Sequence, residues 1–401
     1  MKKDIYIFTN SYPYTKSVEV FIAEEMNVAA KMDCNIFIIP TNKDAFVREV
    51  PENVTVLPCL TDISKVRKLG LLLSMPFSGK FWSMIKEAGL SKKILQGIKY
   101  LYGAYMTRHY IKQTIKSPSV LYSYWFSYTA LGMAMSRDCN DILQKCTMVS
   151  RGHGYDVFAD QRDIYIPHRN FTLSKIDMLC PVSDTGTSYL SGKYPAYAAK
   201  ISTQRLGITP AANSKAYDDN TESISFVSCS AVYDLKRVDL IFSMIRAFAE
   251  KRPEKKVLWT HFGDGPMFEQ LKHLCSDKTQ NMTVSLKGFT AGNEIRRIYA
   301  DEHFDIFVNM STTEGIPVSI MEALSAGIPA IATDVGGNHE IVCEATGTTV
   351  PAEPTYEDFE SAVNLIIKNK ENFKSSTIEF FNKHYNAEKN YTDFYNTIMG
   401  L

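Results

Sequence analysis

Two carboxylates, Glu314 and Glu322, bracket the start of a short predicted helix in STTEGIPVSIMEALSAGIPAIATDVGGNHE, residues 311–340. Pro317 suits the first helical position, where a missing N–H costs nothing. Gly327 suits a left-handed stop, and Pro329 blocks continuation. Free backbone N–H groups near residues 315–319 would carry the partial positive charge that attracts a phosphate or sugar hydroxyls. A carboxylate accepts hydrogen bonds well from a vicinal diol. The chemistry these residues fit is the gripping of one nucleotide sugar, with one acid near the sugar and the other on the ribose. Two solvated acids on a helix surface would give the same spacing. The apolar flanks of Glu322 (Met321, Ala323 and Leu324) weigh against that, as does the setting between FDIFVNMS and GIPAIATDVGG.

A second candidate group is RGHGYD, residues 151–156, at the end of a predicted strand. Its glycines flank His153 and put the imidazole on a strand-end loop. Such a histidine can hydrogen-bond structurally or face a ligand. Asp156 can orient His153, bind an acceptor, or close an Asx-type turn. In the N-terminal loop NSYPYTKSVE, Ser11, Tyr14 and Lys16 could face an acceptor or phosphates, while Ser17 reads as a helix cap. Residues 65–116 hold eleven Lys/Arg against one acid, Glu87, with apolar and aromatic residues interleaved. That composition suits an anionic membrane surface, or else a solvated face over a core.

The elements that must position these residues alternate. DIYIFTN, CNIFIIP, SVLYSYW, TMVSRG and MLCPVS read as strands, and 19–31 reads as a helix with Glu19, Glu24 and Glu25 on its polar side. After a polar stretch without periodicity, SISFVSCS, KVLWTHFG, TVSLKG, FDIFVNMS and PAIATDVG repeat the alternation. The expectation is an α/β chain of two doubly wound, Rossmann-like domains, 1–208 and 224–384, joined by a linker at 209–223. Residues 385–401 form a C-terminal helix expected to pack back on the first domain. In such sheets ligands collect at the carboxyl ends of strands.

Bulk properties narrow the classes. Lys+Arg and Asp+Glu both total 44, which argues against a polycation for nucleic acid. Eight scattered cysteines without a C-x-x-C pair suggest neither a zinc site nor a disulfide framework, and point to reduced, buried thiols in a cytosolic setting. The N-terminal apolar run is too short for a signal peptide, and no stretch is long enough to span a bilayer. The expected location is cytoplasmic, with attachment at an inner membrane face as the alternative to free solution. No G-x-G-x-x-G follows the first strand, which disfavours a nicotinamide dehydrogenase.

The stretch 311–342, with HFGDGP (261–266), LKGF (286–289), LKRVDLI (235–241), RGHGYD and NSYPY, resembles the signature of retaining GT-B glycosyltransferases of family 4, the glycosyl transferases group 1. The resemblance is strong after Phe226 and looser before it. It implies two facing Rossmann-like domains and sugar transfer from a nucleotide-sugar donor, UDP-linked, to a glycan or lipid-linked acceptor in surface polysaccharide biosynthesis. Glu314 resembles the acid on the donor sugar, and Glu322 the acid on the ribose. Gly315, Ile316, Pro317 and Val318 match the turn touching sugar and phosphates. Lys236 matches the lysine that neutralises the leaving diphosphate. Gly263 and Gly265 match the turn beneath the nucleotide, and Gly288 and Phe289 the segment beside the base. His153 resembles a histidine near the reacting carbon. No cofactor or metal is called for, since a lysine and helix amides carry the charge and no Asp-x-Asp motif is present. One position departs: Ala231 stands where the family pairs an arginine with the lysine, and Arg237 is the neighbouring substitute. A non-catalytic homologue that binds a glycan or partner, and a sugar-nucleotide epimerase, are the rival readings.

Overall fold

The apolar runs become two six-stranded sheets in which every pairing is parallel. A computed structural model of the chain describes residues 2–15, 19, 21–89, 91–211 and 222–401. It divides into two units, Met1–Leu206 with Ala387–Leu401, and Gly207–Asn386. Most of the expected linker, 209–223, lies outside the described residues, but Ser223 already belongs to a strand.

In the first unit β1 (Lys3–Thr9), β2 (Cys34–Pro40), β3 (Val54–Val56), β4 (Val120–Ser123), β5 (Thr147–Gly152) and β6 (Met178–Pro181) lie in the order β3-β2-β1-β4-β5-β6. In the second, β7 (Ser223–Cys229), β8 (Lys256–Phe262), β9 (Met282–Leu286), β10 (Ile306–Asn309), β11 (Ala330–Thr333) and β12 (Gly347–Val350) lie in the order β12-β11-β10-β7-β8-β9. Both orders reverse direction once, between β1 and β4 and between β7 and β10. Helices cover both faces of such sheets, so β4, β10 and β11 are buried at every residue. The crevice beyond the carboxyl ends of the strands at each reversal is where this architecture binds ligands.

The first core gathers Tyr122 and Tyr124 with Tyr391, Phe394, Tyr395 and Ile398 from the helix Ala387–Gly400. Two acids placed on a solvated helix face by their spacing are buried here. The helix begins only at Ile22, and Glu25 inside it pairs with Arg151 at 3.3 Å, both side chains fully buried. The Tyr395 hydroxyl donates to Glu25 at 3.2 Å, and the guanidinium lies 4.3 Å from the Phe394 ring centre. Burial raises the Glu25 carboxyl despite the opposing pull of Arg151.

The basic segment divides. The helix Lys93–Thr114 buries Leu101, Ala104, Tyr105, Met106 and Ile111, so those residues are core. The helix Lys65–Ser74 buries none of its residues. No helix among the described residues is long and apolar enough to cross a membrane. The eight cysteines are all free, five of them buried.

Candidate functional site

The loops leaving β7 and β10, the two strands at the reversal of the second sheet, bring Lys236 and Glu314 together. β10 ends at Asn309, whose side chain accepts the Ser311 N–H at 3.0 Å and turns the chain sharply. Glu314 folds back over this turn. Its Oε1 accepts from Ser311 Oγ at 2.6 Å, Lys236 Nζ at 2.5 Å and Asn309 Nδ2 at 3.3 Å. Lys236 closes a short helical turn, Asp234–Lys236, and the Thr312 N–H donates to Leu235 O at 2.9 Å, tying the loops together. Glu314 is 9% exposed, so the pair sits where its mutual attraction is screened less than at a surface. Ser311 and Asn309 are partners that no sequence signal singled out.

The helix Val318–Ser325 starts one residue later than its proline suggests. Pro317 has an extended ψ of 118° and stands as the flanking residue, its carbonyl accepting from Ile320 at 3.2 Å. Gly315, Ile316, Pro317 and Val318 thus form the approach to a helix start whose first amides have no acceptor within the helix. Gly327 ends the helix at a φ of +80°. The paired glycines after β11 have a steric purpose. A Cβ on Gly336, whose φ is +55°, would stand 1.9 Å from Glu314 O, and one on Gly337 would stand 2.2 Å from Gly315 O. Only bare backbone lets the β11 loop press against the segment that carries Glu314.

Glu322 lies in the same helix, 6% exposed, with Oε1 3.4 Å from Arg296 Nη1 on the helix Gly292–Asp301. A Cβ on Gly292 would sit 2.7 Å from that oxygen, so the glycine keeps the acid's approach open. Arg296 carried no signal in the sequence, being one of two adjacent arginines on an amphipathic helix. Burial raises the Cys229 thiol at the end of β7, and the charge of Glu322 adds to the rise.

Gly263 and Gly265 shape the loop after β8. A Cβ on Gly263 would meet Ser230 O at 1.8 Å, and one on Gly265 would meet Val232 O at 2.4 Å. The Gly263 N–H donates to Gly288 O at 2.8 Å, holding the β8 and β9 ends side by side. Phe289, next along, is 48% exposed. Beneath them His261 is fully buried, its Nδ1 2.8 Å from Ser228 Oγ, which accepts from Trp259 Nε1 at 3.0 Å. Burial lowers its imidazole to about 4.

Arg237 does not stand in for the missing arginine. At a left-handed φ of +47° it turns its guanidinium to Met310 O (2.6 Å), Ala352 O (2.6 Å) and Glu353 (3.0 Å).

In the first unit the reversal between β1 and β4 is organised by Glu19, which helical spacing places on a solvated face. It is 2% exposed at a φ of +58°. Its carboxylate accepts the consecutive N–H groups of Asn10 (2.8 Å), Ser11 (2.7 Å) and Tyr12 (2.8 Å), and Trp125 Nε1 (2.5 Å). The Trp125 ring then packs 4.3 Å from the His153 ring, centre to centre. His153 is 7% exposed, and neither ring nitrogen makes a hydrogen bond among the described residues. Asp156 is fully buried and shapes the loop instead of presenting itself to an acceptor. It accepts the N–H groups of His153 (2.8 Å) and Phe126 (2.9 Å), the Asx-type role. Burial opposes its ionisation, yet His153 and these amides hold its carboxyl below the usual range. Tyr14 is half-buried, with Lys43 Nζ 5.0 Å from its ring centre. Lys16 lies outside the described residues.

Comparison with known proteins places these geometries. Residues 212–380 match the model of the glycosyl transferases group 1. A phosphatidylinositol N-acetylglucosaminyltransferase of Arabidopsis thaliana is 28% identical over 58% of this chain and 53% of its own length. The amylovoran biosynthesis glycosyltransferase AmsK of Erwinia amylovora is 32% identical over 36% of each chain. The chain thus spans about half or less of the curated relatives it matches. The whole chain, 99% of it, superposes on 99% of TarM from S. aureus, solved with Fondaparinux, alpha-GlcNAc-glycerol and UDP, at a TM-score of 0.68 and 12% identity. The fold is GT-B.

Proposed function

We propose, for a chain that belongs to the glycosyl transferases group 1 through residues 212–380, that it moves a sugar from a nucleotide-sugar donor to a hydroxyl of a glycan or lipid-linked acceptor. The observation that carries this reading is the Lys236–Glu314 pair, at the reversal of the second sheet and beside the start of the helix Val318–Ser325. Lys236 and the helix amides would receive the diphosphate, and Glu314 Oε2 a sugar hydroxyl, because Ser311, Lys236 and Asn309 all converge on Oε1. Glu322 would accept from ribose, and Phe289 would lie against the base. A UDP donor is supported by the UDP in the TarM structure, and polysaccharide assembly by the name of AmsK. The group resemblance supports a hexosyl transfer with retention of configuration. As the glycosyl carbon becomes cation-like, charge builds on the departing phosphate, and Lys236 stabilises it there. A phosphate oxygen then takes the acceptor's proton. His153 would act near the reacting carbon, which a ring without a hydrogen-bond partner suits. The chain would work in the cytoplasm, at an inner membrane face.

A thermal-shift screen of UDP-, GDP- and ADP-sugars, repeated with Glu314→Ala, tests donor binding. Stabilisation by one nucleotide class, with the sugar's increment lost in the variant, is the expected result. Indifference to every donor would overturn the reading. Arg237, turned away to Ala352 and Glu353, favours a second reading, a non-catalytic homologue that binds donor or glycan without turnover. Incubation with the stabilising donor and a membrane lipid extract separates the two: a transferase releases free nucleotide only with acceptor present, and an epimerase changes the donor without any acceptor.

A further inference from the structure

Amphipathic helices in a soluble protein turn their apolar stripe inward. The helix Lys65–Ser74 does the reverse. Val66 is 84% exposed, Leu69 55%, Leu72 44% and Leu73 62%. At 100° per residue these four fall within one arc of about 120°, and Lys65 shares it. Leu71 and Lys68, on the opposite side, are the half-buried positions facing the fold. The turn that follows continues the display. Met75 is buried as its anchor, while Phe77 is 92% exposed. The Trp82 indole N–H donates to Pro76 O at 2.8 Å, which holds a ring 60% exposed against this turn. Lys86, one helical turn beyond Trp82, is exposed as well.

We infer that the helix and turn over residues 65–82 dock on the surface of an anionic lipid bilayer. Charge identifies the occupant. Residues 65–116 carry eleven Lys/Arg and one acid in a chain whose overall charge is zero. A second copy of the same face would bring like charges together. Anionic headgroups instead receive the cations while the leucines, Phe77 and Trp82 enter the interfacial layer. The structure also narrows the segment: the helix Lys93–Thr114 turns its apolar residues into the core, so lipid contact belongs to the two helices before it.

The inference is independent of sugar transfer, because the test needs neither donor nor acceptor. The full chain is floated with vesicles of phosphatidylcholine alone and with phosphatidylglycerol added, at low and high salt. Binding to the anionic vesicles only, weakened by salt, is the expected result. In the variant Leu69→Glu with Phe77→Glu, binding should fall about tenfold or more, with an unchanged circular dichroism spectrum and melting midpoint, because neither side chain is buried. Wild-type protein left in the soluble fraction with anionic vesicles, or a variant that floats as well as wild type, would overturn the inference. So would a wild-type dimer in solution that the variant abolishes, since that assigns the stripe to a second copy.

Discussion

At the residue scale Lys236 and Glu314 share one ion pair but should fail differently when removed. Lys236→Ala deletes the cation placed for the diphosphate, so it should weaken UDP itself as well as lower turnover, the latter by about 10²–10³-fold. Glu314→Ala removes a negative charge from the same spot, so UDP should bind at least as well while the gain from the attached sugar disappears. Calorimetric titration of both variants with UDP and with the stabilising UDP-sugar checks the split. Equal losses for both ligands in both variants would mean that the pair is a structural tie between two loops. His261 makes a separate statement. Its imidazole is lowered from 6.5 to about 4, so between those values the unfolded chain holds a proton that the folded chain refuses. The stabilisation is therefore complete above about pH 6.5 and is lost as the pH falls towards 4, on the order of 3 kcal/mol. Denaturation midpoints from pH 7 to 4.5 should decline more steeply for the wild type than for His261→Gln.

At the element scale the site is a matter of strand ends meeting without side chains between them. Gly336→Ala puts a methyl group 1.9 Å from Glu314 O at a φ of +55°, so either the β11 loop or the Glu314 loop must move. Strain of this kind costs about 1–3 kcal/mol. We expect a lower melting midpoint, together with loss of the sugar-dependent shift out of proportion to the loss of UDP binding. Gly192, whose added Cβ would meet nothing within 4 Å, is the control for a neutral Gly→Ala change. This is also where sequence reading reaches its limit. The paired glycines and the helix start were legible because turns and caps demand particular residue types. β3 and β12 were not, because three or four residues such as GTTV carry no period. Glu19 and Glu25 were misplaced because helical spacing assigns acids to solvent. Glu19 finds three loop amides and an indole, and Glu25 finds Arg151; neither partner is visible to a local pattern. Arg296 went unnoticed for the same reason.

At the scale of the whole molecule the last fifteen residues belong to the unit that the chain left at Leu206. The first core is therefore complete only once Tyr391, Phe394, Tyr395 and Ile398 have arrived, each 0% exposed. These side chains also wall the Glu25–Arg151 pair, and a buried pair tolerates little loss of its surroundings. Phe394→Ala should thus destabilise the first unit by about 3–5 kcal/mol, from the cavity alone. The second unit keeps its own core around Phe226, Phe242, Phe248 and Trp259, to which the C-terminal helix contributes nothing. The loops bearing Lys236, Glu314 and Glu322 hang on that core. The variant should accordingly unfold its first unit earlier in calorimetry while its affinity for UDP at moderate temperature stays as in the wild type. A parallel fall in UDP affinity would show that the nucleotide is held by the first unit's strand ends, and would move the diphosphate from the Lys236 loop to the amides that Glu19 now occupies.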